Sequence, residues 1–358
     1  MLDEDALDAD RLVLAQPLDD LLGRARPLVT GAFTGARLDR AGDGRRRDAA
    51  WVAALREDPR ARAVHAGSRG VLMEDHRLAI LPLAEAAAGA EPLLLGLTPD
   101  GPLFAVDDDA PAPGGEKPPP LIASGGPRGS HAAAPPPAEG PRPVGLREAV
   151  AVLPQDEGGL VAYVAALLNW HRRHGFCAVC ATPTDVTEGG LVRHCPRCGT
   201  QHHPRTDPVV IMLVTDADRV LLGRAPNWPP RRYSALAGFV EPGESLEEAV
   251  AREVAEESAV EVGAPRYVAS QPWPFPASLM LGFEVPWRGG EPRAQEDEIQ
   301  DVRWFSRAEV AEAAALDVDG WGGTPDEVPG DGLLLPPRLA IARRLLEHWL
   351  AVDRGARS

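Results

Sequence analysis

Three glutamates at helical spacing carry the first sign of chemistry in this sequence. Glu253, Glu256 and Glu257 are separated by three and four positions, with Glu244 near the same line and Arg252 beside them. On a helix these carboxylates project from one face and repel one another. Their clustering makes sense if a divalent cation neutralises them, and hard oxygen ligands suit Mg²⁺ or Mn²⁺. The alternative interpretation is a solvated acidic helix face.

The four cysteines form a second candidate site. They occur as two C-x-x-C pairs with fourteen residues between the pairs: Cys177, Cys180, Cys195 and Cys198. This spacing predicts a tetrahedral sulfur cage for Zn²⁺, in which four thiolates leave no open position for chemistry. Two disulfides or a nucleic-acid-binding ribbon are the alternatives, and His194, His202 and His203 are alternative ligands nearby. The complete thiolate set favours a structural zinc site.

A proline-rich stretch, SQPWPFP at residues 270–276, is the third informative segment. Its three prolines cannot lie in a central strand, because each removes a backbone donor. We therefore predict a rigid loop that presents Trp273 and Phe275. For either ring alone, filling the core is the simpler interpretation.

Hydrophobic patterning places these residues on an α/β framework. Apolar residues recur at three and four positions through 246–254, which predicts an amphipathic helix of about three turns beneath the glutamates. Buried strands are expected at 209–214 and 220–223, and residues 233–239 lead into the glycine-bounded loop before the helix. Strands flanking this helix imply a mixed α/β/α sandwich.

The amino-terminal half is predicted to be rich in strands, so that the whole chain belongs to the α+β class. Apolar runs bounded by turns occur at residues 70–73, 78–81, 93–97 and 103–106. A short strand or turn is expected at 146–152. A helix at 159–174 then delivers the chain to the cysteines.

The predicted organisation has five parts. They are an N-terminal sheet domain at 1–107, a disordered Pro/Gly-rich insertion at 108–143, a strand and connecting helix at 144–174, a zinc ribbon at 175–204 and a catalytic domain at 205–358. The chain of 358 residues is long enough for two or three domains.

Composition restricts the possible partners. The net charge of −16 argues against a broad electrostatic surface for nucleic acid. The acidic prefix MLDEDALDAD lacks the features of a signal peptide, and no apolar run reaches the length of a membrane span. We therefore expect a cytoplasmic protein without a membrane partner.

The spacing around the glutamates resembles the Nudix box of hydrolases that cleave nucleoside diphosphates linked to another group. Gly238, five residues, Glu244, seven residues and then REVAEE from Arg252 match that pattern. Ala259 stands where the family usually has glycine. If this position needs positive φ, alanine costs about 1 kcal/mol there without loss of chemistry.

The stretch SQPWPFP, followed by Ala277 and Ser278, resembles the signature of NADH pyrophosphatases within the Nudix hydrolases. The resemblance extends from about Trp170 to the C-terminus and includes HHPRTDP and the final LPPRLAIARRLLEHWL segment. It implies a Nudix-like N-terminal sheet domain, a zinc ribbon and a Nudix domain, assembled as a homodimer.

The resemblance also implies roles for single residues. Glu253 and Glu257 would ligate Mg²⁺ or Mn²⁺ with the Ala237 carbonyl, Glu256 would assist, and Glu298 would complete the site, although Glu298 could equally lie in a solvated acidic loop. His203 stands where several relatives place a tyrosine that closes the pocket from the partner subunit. The remaining residues expected at the substrate are Phe239, Gln271, Pro272, Trp273, Pro274, Phe275, Pro276, Ala277, Ser278 and Ala342.

The activity implied is hydrolysis of the pyrophosphate of NADH or NAD⁺ to NMNH or NMN and AMP, together with removal of NAD caps from RNA. Glu257 is hypothesised to ligate metal and accept a proton from water, and Arg252 to hold the glutamates by ion pairing. Two alternatives stay open: a Nudix enzyme for another dinucleotide such as ADP-ribose, and a non-catalytic zinc-ribbon adaptor.

Overall fold

The computed structural model describes residues 32–86, 91–110, 140–295, 298–316 and 332–352. The acidic prefix lies outside these ranges. So does most of the insertion predicted at 108–143, of which only 108–110 and 140–143 are described. The last two of these residues belong to a strand, Arg142–Val144, so the predicted insertion extends too far at its C-terminal end.

The amino-terminal half is built on a seven-stranded sheet in the order β3-β2-β1-β6-β5, with β4 paired to β1 and β7 to β2. Its strands are β1 (Arg62–Gly67), β2 (Gly70–Glu74), β3 (Arg77–Leu78), β4 (Ile80–Pro82), β5 (Leu93–Thr98), β6 (Gly101–Asp107) and β7 (Arg142–Val144). The four apolar runs predicted as strands all lie in this sheet, which confirms the predicted sheet-rich domain.

Helices cover both faces of this sheet. They are α1 (Asp43–Arg46), α2 (Ala49–Glu57), α3 (Leu146–Val152) and α4 (Gln155–Arg173). One core forms between the sheet, α3 and α4, and a second forms between the opposite face and α2. The strand or turn predicted at 146–152 is wrong: Leu146, Ala149 and Val150 are buried at helical spacing on α3. Helix α4 begins four residues before the predicted start at 159.

A small three-stranded sheet joins the two halves. It consists of β8 (Asp185–Thr187), β9 (Val192–His194) and β10 (Gln201–His202), in the order β10-β9-β8. The four cysteines lie on the turns that flank these strands. The chain therefore passes from α4 through the cysteine turns and directly into the second large sheet.

The second seven-stranded sheet has the order β14-β16-β11-β12-β17, with β13 paired to β11 and β15 to β16. Its strands are β11 (Asp207–Asp216), β12 (Arg219–Arg224), β13 (Leu236–Phe239), β14 (Glu261–Val262), β15 (Arg266–Trp273), β16 (Ser278–Gly289) and β17 (Asp301–Ser306). Its helices are α5 (Leu246–Ser258), α6 (Arg307–Ala315) and α7 (Ile341–Ala351). The central strands β11 and β16 run parallel, whereas the outer pairs are antiparallel.

Two apolar cores on opposite faces of this sheet define its layers. Helix α5 contributes Ala249, Val250 and Val254 to one core. Helices α6 and α7 contribute to the other. The predicted α/β/α sandwich is therefore confirmed. Within the described ranges, none of the helices combines the length and apolar character needed to cross a bilayer.

Candidate active site

Helix α5 presents the predicted glutamates because its first turn and its apolar face are both fixed. The Ser245 hydroxyl accepts a hydrogen bond from the Glu248 amide at 3.2 Å, and the Glu248 carboxylate accepts one from the Ser245 amide at 2.7 Å. This reciprocal pair is a capping box. With Ala249, Val250 and Val254 completely buried, this side of the helix packs towards the sheet. Glu253 and Glu257 follow Ala249 by four and eight residues, so they project from the same side towards β13.

Arg252 gathers three of these carboxylates around one guanidinium. Its Nη2 donates to Glu244 Oε1 at 2.5 Å, and its Nη1 donates to Glu253 Oε1 at 2.8 Å and to Glu256 Oε2 at 2.9 Å. Nη2 also donates to the Phe239 carbonyl at 2.9 Å, which joins the helix to the end of β13. The negative charges are thus held close together although they repel one another.

The two glutamates expected to bind metal face the backbone of β13. Glu253 lies against Gly238: a β-carbon added to this glycine would stand 1.9–2.1 Å from the Glu253 carboxyl atoms. Glu257 is buried, and its Oε2 accepts a hydrogen bond from the Ala237 amide at 3.2 Å. Because the N–H and C=O of one strand residue point to the same side, the Ala237 carbonyl faces Glu257 as well.

The electrostatics of this cluster favour a cation. Burial raises the pKa of Glu253, and the Glu256 and Glu244 carboxylates raise it further, while Arg252 acts in the opposite direction. The hydrogen bond from Arg252 lowers the pKa of Glu244. One guanidinium therefore does not fully compensate the group. Two carboxylates and a facing carbonyl form a set of hard oxygen donors that fits Mg²⁺ or Mn²⁺.

Glu298 follows Gln295 by three residues, and the Gln295 amide donates to the carbonyl of Glu257 at 3.4 Å. Glu298 is exposed on a turn before β17, and within the described ranges no hydrogen bond or ion pair joins it to the glutamates of α5. Its neighbour Ile299 packs in the same core as Leu236 of β13. This strand leads into the loop before α5, residues 240–245, which is the metal loop. The role of Glu298 at the metal therefore stays a prediction.

The SQPWPFP segment is a β-hairpin and not the predicted rigid loop. Its first part lies on β15, where Pro272 pairs with Leu279 of β16, and 274–277 form the turn. Among the described strands, β15 pairs with β16 alone, so its outer edge needs no donor from Pro272. The Trp273 and Phe275 rings lie 5.3 Å apart, edge to face, at the tip of this hairpin.

The other residues predicted at the substrate differ in accessibility. Phe239 is 59% exposed beside the metal loop, and His203 is exposed just after β10. Gln271 is 1% exposed, and its side-chain amide forms hydrogen bonds with backbone groups. Its side chain therefore points into the protein and away from the predicted pocket. Ala342 is buried on α7 beside Ile341, whose amide donates to Gln271.

The metal loop and the hairpin lie on either side of the central strand β11. Val209 of β11 pairs with Phe239 on one side and with Met280 on the other. Neighbouring strands lie about 4.8 Å apart, so Phe239 and Met280 are separated by about 10 Å. Asp207, two residues earlier on β11, pairs with Ser278 at the base of the hairpin. The loop before α5 and the hairpin therefore lie at the same end of the sheet.

The described part of the chain contains two cavities, one beside the hairpin and one beside the cysteine ribbon. One of about 330 Å³ lies between the hairpin and α4, with Trp273, Ser278, Tyr163 and Arg40 in its wall. The other, of about 420 Å³, lies between α2 and the cysteine ribbon and shares no residue with the carboxylate cluster. Only the first adjoins residues of the predicted site.

The four cysteines converge as predicted. Their sulfur atoms lie within 4.8 Å of one another, and Cys180 Sγ is 3.5 Å from Cys195 Sγ and 3.6 Å from Cys198 Sγ. Sulfurs at the corners of a tetrahedron with zinc–sulfur bonds of about 2.3 Å lie about 3.8 Å apart. All four are free thiols, so the disulfide alternative is wrong. The geometry fits a structural Zn²⁺.

Matching backbone turns hold the two cysteine pairs. The Ala181 amide donates to the Cys177 carbonyl at 2.9 Å, and the Gly199 amide donates to the Cys195 carbonyl at 3.0 Å. Ala181 and Gly199 both have positive φ, 57° and 75°. No histidine shares this cluster among the described residues, so the alternative ligands His194, His202 and His203 are not part of it.

Comparisons with known proteins agree with this architecture. Residues 205–321 match the NUDIX domain, 172–202 the NADH pyrophosphatase zinc ribbon domain, and 21–170 the NADH pyrophosphatase-like rudimentary NUDIX domain. The three matches follow one another along the chain in the predicted order.

Curated relatives are similar to more than half of this chain. The NAD-capped RNA hydrolase NudC of Stutzerimonas stutzeri is 43% identical over 60% of this chain and 70% of that protein. NudC of Chromobacterium violaceum is 43% identical over 61% of this chain and 73% of that protein. The human NAD-capped RNA hydrolase NUDT12 is 42% identical over 57% of this chain, but only 44% of that longer protein is covered. The three domain matches, together with the identity to NudC proteins over more than two thirds of their length, show that the chain belongs to the NADH pyrophosphatase family of Nudix hydrolases.

Proposed function

We propose that this protein hydrolyses the pyrophosphate bond of NADH and NAD⁺, giving NMNH or NMN and AMP, and that it removes NAD caps from RNA 5′ ends. One observation carries the proposal: Glu253 and Glu257 face the backbone of Ala237 and Gly238, one strand away from the Trp273 hairpin. The names of the NudC and NUDT12 relatives support the RNA substrate.

The proposed chemistry assigns separate tasks to the residues of α5. A divalent cation held by Glu253, Glu257 and the Ala237 carbonyl would neutralise pyrophosphate charge and acidify water. Glu257 accepts the proton released as water attacks, and Glu256 assists. Arg252 touches Glu244, Glu253 and Glu256 and fixes their positions. Glu298 approaches from the turn before β17 and completes the ligand set.

Binding of the dinucleotide is assigned to the surface between the metal loop and the hairpin. Phe239, exposed beside the loop, stacks on the base or the nicotinamide ring. The hairpin from Pro272 to Ser278 forms the wall of the pocket. Gln271 and Ala342, both buried, support this wall from behind, at the start of α7.

A second subunit is part of the proposal. His203 is exposed in the single chain and stands at the position where relatives place a pocket-closing tyrosine, so it would reach the site of the other subunit in a homodimer. Four thiolates around Zn²⁺ also favour a reducing compartment such as the cytoplasm.

Product analysis tests the activity directly. NADH, NAD⁺ and ADP-ribose are incubated separately with the protein and Mg²⁺ or Mn²⁺, and AMP is quantified by chromatography. We expect AMP with NMNH from NADH and AMP with NMN from NAD⁺. Faster hydrolysis of ADP-ribose would contradict the substrate assignment. Absence of AMP in every reaction would favour the adaptor alternative. An NAD-capped transcript, compared with free NAD⁺, tests the RNA substrate.

Glu257→Gln tests the catalytic assignment. Glutamine can still accept the hydrogen bond from the Ala237 amide, so we expect turnover to be abolished with the melting temperature and zinc content unchanged. Glu247→Gln, an exposed glutamate in the first turn of the same helix, is the matched control and should retain activity. Full activity in Glu257→Gln would refute the role.

A further inference from the structure

Phe33 connects the amino-terminal domain to the signature hairpin. This ring is 1% exposed and contacts both hairpin rings edge to face, with centroids 5.7 Å from Trp273 and 5.8 Å from Phe275. The two hairpin rings pack against the core formed by the first sheet, α3 and α4. The tip of the hairpin is therefore anchored by the first domain and not by the catalytic sheet alone.

Arg147 contacts the same hairpin from helix α3. It is the second residue of α3, and its guanidinium carbon lies 4.6 Å from the centroid of the Phe275 ring. A guanidinium within about 6 Å of an aromatic centroid is attracted by the electron density on the ring face. Phe275 therefore contacts both the Phe33 ring and a cation from α3.

At the base of the hairpin, Gln271 joins β15 to the Ala32–Phe33 segment and to the start of α7. Its Nε2 donates to the Ala32 carbonyl at 3.0 Å and to the Leu339 carbonyl at 2.8 Å, and its Oε1 accepts from the Ile341 amide at 2.8 Å. Both amide protons and the carbonyl of a buried side chain are satisfied by backbone groups. The segment at Ala32–Phe33 is therefore tied to the hairpin by a hydrogen bond as well as by ring packing.

We infer that Phe33 and Arg147 are positioning residues for the nucleotide pocket, through which the rudimentary first domain sets the geometry of the Trp273–Phe275 hairpin. This inference rests on the proposed function, because it assigns the hairpin to the dinucleotide. Neither residue belongs to a motif, and neither touches the carboxylates.

The kinetic consequence follows from which elements each residue contacts. The carboxylates are held by Arg252 and by the β13 backbone, all within the catalytic domain. Loosening the hairpin from the first domain leaves these contacts in place and weakens binding of the nucleotide. A change that removes binding shared by ground and transition states raises KM and leaves kcat unchanged.

Steady-state kinetics with NADH test this in the full-length protein. We expect Arg147→Ala to raise KM about fivefold with kcat unchanged, as loss of one cation–π contact would do. Arg147→Lys retains a cation over Phe275 and should stay within about twofold of wild type. Phe33→Leu keeps a large apolar side chain at this buried position but removes the edge-to-face contacts, so KM should rise while the protein remains folded.

Arg219→Ala is the matched control. The Arg219 guanidinium lies 4.5 Å over the Trp304 ring, far from the hairpin in sequence and on another strand pair. Arg219→Ala removes the same type of contact as Arg147→Ala. We therefore expect the two variants to have similar melting temperatures, but KM should be unchanged in Arg219→Ala. An equal rise of KM in Arg219→Ala and Arg147→Ala, or no rise in Arg147→Ala, would overturn the inference.

Hydrogen exchange separates failure of the inference from failure of the proposed function. Amides in peptides covering 270–280 should exchange faster in Arg147→Ala than in wild type, and at the wild-type rate in Arg219→Ala. If wild type does not hydrolyse NADH, the proposed function is wrong and the exchange rates alone decide whether α3 positions the hairpin. Unchanged exchange in Arg147→Ala would then refute the positioning role.

Discussion

The carboxylate of Glu253 occupies the space in which residue 238 would carry a β-carbon. All three carboxyl atoms lie within 2.1 Å of that position, so only glycine allows α5 to approach β13 this closely. This glycine of β13 is therefore required by the Glu253 side chain of α5. It brings the carboxylate against the strand whose Ala237 carbonyl faces the same metal position.

Replacement of Gly238 by alanine should abolish hydrolysis with little effect on the rest of the fold. The new methyl group would displace the Glu253 carboxylate, and a displacement of about 1 Å at a catalytic group can reduce activity a hundredfold. NADH turnover and circular dichroism measure the two effects. Gly289→Ala is the control, because its β-carbon would meet its nearest atom, Glu261 Oε2, at 4.0 Å. Activity of Gly238→Ala close to wild type would contradict this account.

The elements around the glutamates could be predicted because their signals are local. The apolar spacing from Leu246 to Val254 and the pairing of Ser245 with Glu248 are read within a few residues. The cysteine site is similar, since two short turns determine where each pair of sulfurs points. For Gly238, the sequence indicates only a glycine that bounds a loop, and neither its place on β13 nor its close approach to Glu253 follows from the spacing.

The features that could not be predicted depend on distant parts of the chain. Pro272 argues against a central strand, but its tolerance on β15 depends on the order of the whole sheet. Gln271 and Ala32 are 239 positions apart, and no pattern indicates that they bond. The helix α3 has only seven residues, and apolar periodicity over so short a segment does not distinguish a helix from a strand.

Ala259→Gly should stabilise the protein. Ala259 ends α5 with φ 60° and ψ 17°, a left-handed conformation that glycine adopts without steric penalty. We expect a gain of about 0.5–1 kcal/mol in the free energy of unfolding, measured with urea. Ala255→Gly, on an exposed interior position of the same helix, should instead lose about 1 kcal/mol. If both variants changed the free energy of unfolding in the same direction, the assignment of strain to Ala259 would be refuted.

His171 should make the unfolding free energy depend on pH. In the folded protein its Nδ1 accepts from Arg193 Nη1 at 2.8 Å, so Nε2 carries the proton and donates to the Gly190 carbonyl at 2.8 Å. Burial, assisted by Arg193 and His174, lowers the pKa of His171 to about 4 from an ordinary value of 6.5, although the Gly190 carbonyl acts in the opposite direction.

The sign of this effect follows from proton binding. Because the unfolded chain takes up the proton at higher pH than the folded one, the stability contributed by neutral His171 is complete above pH 6.5. It is lost as the pH falls towards about 4, by up to about 3 kcal/mol. Urea unfolding of wild type and His171→Gln at several pH values should show wild type losing stability relative to the variant over this range. His76→Asn, at an exposed turn, tests whether the difference is specific to the buried ring.

Loss of one cysteine should separate the structural metal from the catalytic one. Cys195 is buried, and its sulfur completes the tetrahedron with Cys180 and the other two thiols. Structural zinc in small domains contributes on the order of 10 kcal/mol to folding, so Cys195→Ser should lose zinc and unfold the ribbon at lower temperature. Wild type treated with a chelator should lose turnover but keep about one zinc per chain, because four thiolates hold zinc far more tightly than carboxylates hold Mg²⁺. After chelation, added Mg²⁺ should restore the turnover of wild type fully but that of Cys195→Ser only in part. Recovery of Cys195→Ser to the wild-type rate, with no zinc bound, would show that the ribbon does not support the active site.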